Sequence, residues 1–170
     1  MHDIPANAHK VLIPANEPVI IISRTVAAPR ELVFRCYTEP QHLVRFWGPH
    51  GSTMPVCELD LRPGGVWRQV LRFPGMAEFP VTYVFLEIVP PERIEMRDAP
   101  HGTRFGDELP PPKMISTTTL EAVDGQTLVT VKIRFDTISA RDATAATDFV
   151  KVITESDARF AAYVAELPRV

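Results

Sequence analysis

The sequence predicts an α+β fold: an antiparallel sheet of six or seven strands, two short helices, and a long C-terminal helix packed on one face of the sheet. Three observations carry this expectation. Runs of β-branched and alternating residues recur from residue 18 to residue 136, punctuated by Pro and Gly. A single apolar stripe at helical spacing closes the chain, carried by Phe149, Ile153, Phe160, Val164 and Leu167. Proline makes up 17 of the 170 residues, twice the usual share of about 5%. Proline removes a hydrogen bond from helix interiors and central strands, so a helical bundle is excluded and the prolines mark joints between short elements.

Residues 1–16 show no sustained period and read as a flexible arm, with Val11-Leu12-Ile13 able to pin it to the surface. Residues 17–170 form one domain. Pro18–Val26 is a β-branched strand, broken by Ala27-Ala28-Pro29. Pro29 suits the first turn of a helix in which Leu32, Val33 and Cys36 recur at helical spacing. Glu39-Pro40 stops it, and a second short helix carries His42–Phe46 up to Gly48-Pro49. Strands follow at Val56–Leu61, Val66–Phe73, Val81–Val89 and Arg93–Arg97, separated by Arg62-Pro63-Gly64-Gly65, Pro74-Gly75 and Pro90-Pro91. Residues 98–113 hold four prolines and read as a long loop. Ile115–Val123 and Thr127–Asp136 flank Asp124-Gly125, the type I′ hairpin signal. One final helix follows, capped by Ser139 or Asp142.

Composition removes several function classes. A net charge of −3 and a pI near 5.9 leave no basic footprint for nucleic acid. No apolar run approaches the roughly 20 residues of a membrane span. Met1–Lys10 lacks the basic start and apolar stretch of a secretory signal, so a cytoplasmic location is expected, with Cys36 and Cys57 reduced. His42 and His50 lie eight residues apart with no Cys or carboxylate at ligand spacing, so no metal or other cofactor is expected. The glycine turns lack the strand–glycine–helix context of a phosphate-binding loop.

Several separated motifs, in order, carry a family likeness. Arg24-Thr-Val-Ala-Ala-Pro-Arg-Glu-Leu-Val33 resembles a first strand running into an Ala-Pro helix start. Tyr37-Thr-Glu-Pro-Gln-His-Leu-Val-Arg-Phe-Trp-Gly-Pro49 resembles a Thr-x-Pro … Trp-Trp-Gly-Pro segment, with Phe46 replacing the first tryptophan. Asp60–Gly65 and Glu87–Arg93 resemble two further junctions. Across residues 19–167 the chain thus resembles the START-like (SRPBCC) helix-grip superfamily, in its bacterial branch related to the C-terminal domain of the Hsp90 ATPase activator. It departs where many relatives open the final helix with Gly-Met … Gly-Trp, since it has Ala145-Ala-Thr-Asp-Phe149. The resemblance implies that the sheet is curved, that the long helix packs on its concave face, and that a cavity lies between them. Lookalikes include lipid carriers, polyketide cyclases and aromatases, co-chaperone domains and toxin-binding self-resistance proteins, and homodimers are common among them. Fold analogy does not choose between these roles.

Strand alternation says which side chains would face such a cavity. Trp67, Gln69 and Leu71 share one face of their strand, and Arg68 and Arg72 lie on the other, so the first three point inward. Val129, Val131, Ile133 and Phe135 give the last strand an apolar inward face. Ser116, Thr118 and Leu120 share a face of its partner. With the helix stripe, the expected lining is Trp47, Trp67, Gln69, Tyr83, Thr118, Phe135, Phe149 and Ile153. Ser156 interrupts the bulky stripe, as a gap for a ligand or as a helix–sheet crossing. The first reading is therefore a protein that binds a small hydrophobic or aromatic molecule. Two alternatives stand beside it. One is a cyclase-like enzyme in which His50 or Tyr83 moves a proton. The other is an Hsp90-activator-like module with a chaperone partner.

Overall fold

The computed structural model describes residues 9–168. Eight strands make one antiparallel sheet in the order β1-β2-β8-β7-β6-β5-β4-β3, one strand beyond the upper expected count. The extra strand is β1 (Lys10–Leu12), which pairs with β2 (Val19–Val26) through Lys10–Ser23 and Leu12–Ile21. Part of the N-terminal segment read as an arm thus extends the sheet by main-chain pairing. Residues 1–8 of that segment lie outside the described residues.

Between β2 and the rest of the sheet run two short helices, α1 (Arg30–Thr38) and α2 (Pro40–Phe46). Pro29 is the N-cap of α1, and its carbonyl accepts from the Val33 N–H at 3.1 Å. Pro40 does two jobs: it ends α1 and occupies the first turn of α2, where its missing N–H is no loss. The inner faces of these helices bury Val33, Phe34, Cys36, Leu43 and Phe46.

Strands β3 (Thr53–Leu59), β4 (Val66–Arg72), β5 (Phe79–Val89), β6 (Arg93–Asp98), β7 (Met114–Val123) and β8 (Gln126–Phe135) form a meander. The β3–β4 turn leaves no room for a side chain at Gly65, where a Cβ would sit 1.9 Å from the Asp60 carbonyl oxygen. The β7–β8 turn uses Asp124 (φ 51°) and Gly125 (φ 78°), the paired positive φ values of a type I′ turn. β8 then pairs along its length with β2, which closes the topology by joining the start of the domain to its end.

The C-terminal region is two helices rather than one: α3 (Ile138–Ala145) and α4 (Phe149–Glu166). The expected caps Ser139 and Asp142 give way to Thr137, whose hydroxyl accepts from the Ala140 N–H at 3.0 Å. Asp142 instead holds Arg141, whose guanidinium also donates to the Pro14 and Glu17 carbonyls of the N-terminal segment. Thr147 makes the break. Its hydroxyl donates to the Thr144 carbonyl and accepts from the Phe149 N–H, serving one helix end and the next helix start.

The two halves of α4 pack differently. Phe160 and Val164 are sealed in the core with Val26, Trp67, Phe85, Leu120 and Val129. Phe160 lies 4.7 Å from Phe46 and 5.1 Å from Tyr37, ring centre to ring centre. The first half, Phe149 to Asp157, instead roofs a pocket over the sheet.

Candidate functional site: a pocket between sheet and helix

The pocket has a volume of about 610 Å³. Its floor is the inward face of β4 to β8, set by the alternation that hides Trp67, Gln69 and Leu71 and exposes Arg68 and Arg72. The roof is Phe149, Val152, Ile153, Ser156 and Asp157 of α4. Tyr37, Trp47, Gly48, Phe79, His101 and Lys113 also line its wall.

Aromatic rings make a continuous surface through this space. Trp47 meets Trp67 edge-on at 4.8 Å, Tyr83 lies 5.7 Å from Trp67, and Phe85 stacks parallel to Trp67 at 6.4 Å. Such faces offer large apolar area and prefer flat or edge-on partners. Burial and the nearby Asp98 push the Tyr83 phenol up to about 12, so at neutral pH it is a neutral hydroxyl. Tyr37 is raised well above its ordinary value, first by burial and then by the Asp157 carboxylate.

Gln69 is a buried polar side chain in a floor that also carries Thr82, Asp98, Ser116 and Thr118. It is 2% exposed, and neither its amide nitrogen nor its oxygen has a hydrogen-bond partner among the described residues. Its cross-strand neighbours are Cys57 on β3 and Val81 on β5, with Trp67 and Leu71 on the same face of its own strand. A buried amide without partners is costly, and most buried polar groups avoid that state.

The roof is tied down by polar contacts that sequence reading did not find. Arg24, on the inward face of β2 and 4% exposed, donates to the Asp157 carbonyl of α4. The Asp157 carboxylate meets His9 Nε2 at 3.2 Å. Ser156 lines the pocket roof and also ties α4 to the end of α2 and the loop after it: its hydroxyl donates to the Phe46 carbonyl at 3.3 Å and accepts from the Gly48 N–H at 3.2 Å. Arg159 donates to the carbonyls of Gly48 and Pro49 at 3.0 and 3.1 Å and to Ser52 Oγ at 3.2 Å. Burial lowers the Arg159 pKa. Gly48 adopts φ +103°, and a Cβ there would come within 2.6 Å of Ser52 Oγ, so this loop admits only glycine without moving. The period-2 alternation of Ile20, Ile22, Arg24 and Val26 marks Arg24 as inward. Its partner, 133 residues away, leaves no mark in the local sequence.

Of the expected lining residues, Trp47, Trp67, Gln69, Tyr83, Thr118, Phe149 and Ile153 border the pocket. Phe135 does not. It shares the inward face of β8 with Val131 and Ile133, but lies beyond them at the strand end. There it packs with Ile20, Ile22 and Ile133 and meets Phe149 at 6.3 Å, bordering a separate depression beside α3. His50 also lies outside the pocket, in the exposed turn after Gly48, where its backbone N–H donates to Glu155 at 3.3 Å. Of the two proton-transfer candidates, Tyr83 borders the pocket and His50 does not. Among the described residues no group of three or more His, Cys, Asp or Glu is placed to hold a metal ion. No helix among them is long and apolar enough to cross a membrane.

A long antiparallel sheet wrapped beneath a C-terminal helix, with a pocket between them, defines the helix-grip class of START-like proteins. Within that class the chain belongs to the family described as activator of Hsp90 ATPase homolog 1-like proteins, whose sequence pattern matches residues 27–165. Solved structures share the fold. The Nitrosomonas europaea protein NE0264 superposes with a TM-score of 0.80 at 24% identity, over 91% of this chain and 97% of that one. A Rhodobacter sphaeroides protein gives a TM-score of 0.80 at 22% identity, over 95% and 100% of the two chains. The AHSA1 protein of Silicibacter pomeroyi gives a TM-score of 0.64 at 20% identity, over 86% and 97%. A comparison with curated proteins finds no match.

Proposed function

We propose that this protein binds a small hydrophobic or aromatic molecule in the pocket between the sheet and the first half of α4. The observation that carries the reading is the pocket wall itself: Trp47, Trp67, Tyr83 and Phe85 enclose apolar space around one buried, unpartnered carboxamide, Gln69. Pockets of several hundred Å³ with apolar walls and a few placed polar groups are the usual form of small-molecule sites. Apolar burial would supply affinity and the polar groups orientation. The cyclase-like alternative draws little from this site. A phenol held near 12 is a poor base at neutral pH, and His50 does not line the pocket.

Native mass spectrometry of the purified full chain, together with thermal-shift screening of flat aromatic and acyl compounds, tests the reading. A co-purifying small molecule, or a melting temperature that rises with one compound class in a concentration-dependent way, is the expected result. No bound species and no shift with any class would end it.

Family membership favours a second reading, an Hsp90-activator-like interaction module. In that case the chain would bind purified Hsp90 and raise its ATPase rate. Neither effect at micromolar concentrations would remove that reading.

A further inference from the structure

Gln69 narrows the chemistry of the molecule that the pocket would hold; the argument rests on the binding reading above. A carboxamide is both donor and acceptor, and whichever way it is turned it presents the two groups side by side. In Gln69 both are buried and unpartnered. Its surroundings on the same sheet face are Trp67, Leu71, Cys57 and Val81, none of them charged at neutral pH. Four candidate ligand edges can be compared against that site. A hydrocarbon leaves both groups unsatisfied. A carboxylate offers two acceptors, so the Gln69 oxygen would face a negative charge, and none of the four neighbours just named carries a positive charge to offset its desolvation. A lone hydroxyl satisfies one group well and the other poorly. A cis-amide edge, as in a lactam or a primary amide, offers a donor beside an acceptor and pairs with both Gln69 groups at once.

The rings around Gln69 fit the same ligand. Trp67 adjoins it on β4, Trp47 lies 4.8 Å from Trp67, and Tyr83 on the neighbouring strand β5 pairs with Trp67. A flat ring bearing the amide edge would contact these faces while its polar edge reached the carboxamide. We infer that the preferred ligand is a neutral, flat, ring-containing molecule carrying a lactam or primary amide, read by Gln69 through two parallel hydrogen bonds.

Calorimetric titration of the full chain with three matched two-ring probes tests this. The probes are 2-quinolone, N-methyl-2-quinolone, which has lost the donor, and 2-methylnaphthalene, which has lost both groups. The native chain should bind 2-quinolone at least about tenfold tighter than its N-methyl analogue, because the analogue leaves a buried acceptor unpaired. Gln69→Leu should bind the two alike and bind 2-methylnaphthalene no more weakly than the native chain does. Gln69→Met repeats the measurement with an unbranched side chain, should the leucine variant fail to fold. Binding of 2-methylnaphthalene with no preference for 2-quinolone would overturn the inference and leave the pocket reading standing. So would a preference that persists in the folded Gln69 variants. Failure of all three probes to bind would count against the pocket reading and would take the inference with it.

Discussion

Replacing Gln69 by leucine should stabilise the ligand-free protein, although most substitutions at buried positions do the opposite. The carboxamide is 2% exposed with neither polar atom paired. From mutational data, burying an amide without compensation costs about 1–3 kcal/mol. Leucine removes that cost and keeps apolar contact with Trp67, Leu71 and Val81. It branches at Cγ, but the site borders the pocket rather than a closed core, so overpacking is small. The expected gain is therefore about 1–3 kcal/mol, which for a chain of this size raises the melting temperature by about 2–12 °C. Urea unfolding followed by the fluorescence of Trp47 and Trp67 measures it, and an unchanged m-value would show that the unfolded state is not the cause. Leu71→Ala, two residues along the same face, is the control and should lose about 2–5 kcal/mol. A Gln69→Leu protein no more stable than the native one would show that the carboxamide is satisfied in solution. The chemical argument built on it would then fail.

Other expectations follow from single contacts. Gly65→Ala places a methyl 1.9 Å from the Asp60 carbonyl; it should cost at least about 2 kcal/mol in urea unfolding, or yield insoluble protein. Thr137→Ala removes the hydroxyl that accepts from the Ala140 N–H. It should cost about 1 kcal/mol by the same measurement, with Thr137→Ser restoring most of it. Tyr83 and Tyr37 are both raised above the ordinary phenol value by burial. Above about pH 10 the unfolded chain releases these protons while the native chain keeps them, so stability should fall as pH rises toward 12. Tyr83→Phe should flatten that alkaline decline, and an unchanged slope in pH-dependent urea melts would remove Tyr83 as a cause.

The fold was legible because its signals are local. Asp124-Gly125 between two β-rich runs specifies its hairpin, and the alternation in Trp67-Arg68-Gln69-Val70-Leu71 assigns faces without knowledge of the partner strands. Placing most of the pocket lining needed no more than this. What escaped depends on residues far apart in sequence. Arg24 reads as one more arginine until its partner in α4 is known, and Arg159 reads as a helix surface charge until the 47–52 loop is folded beneath it. Phe135 shows the limit of face assignment. Period 2 states which side of a strand a residue occupies, but not how far along the strand the open pocket extends before Phe149 packs down on Phe135. The break at Thr147 was hidden for a related reason, since Ala145-Ala-Thr-Asp-Phe149 contains neither Gly nor Pro and the hydroxyl replaces backbone partners.

The division of α4 explains how one fold can keep its shape while its pocket takes on different chemistry. Phe160 and Val164, half a helix away from the pocket roof, anchor α4 to Phe46, Trp67 and Leu120 through close-packed apolar contact. The roof half is held by Arg24, Ser156 and Arg159, which bond mainly to backbone groups rather than to pocket-lining side chains. Backbone carbonyls and amides are present whatever the side chains are, so these ties place few demands on residues such as Gln69, Thr118 or Ile153. Structures 22–24% identical to this chain superpose with TM-scores of 0.80, as expected when the fold requires apolar alternation and not particular pocket groups. The same independence means that fold likeness cannot name a ligand. Among the described residues the buried polar atoms left unpaired in the pocket floor are the Gln69 amide and Trp67 Nε1, and on the proposed binding reading these are the groups that would orient a ligand.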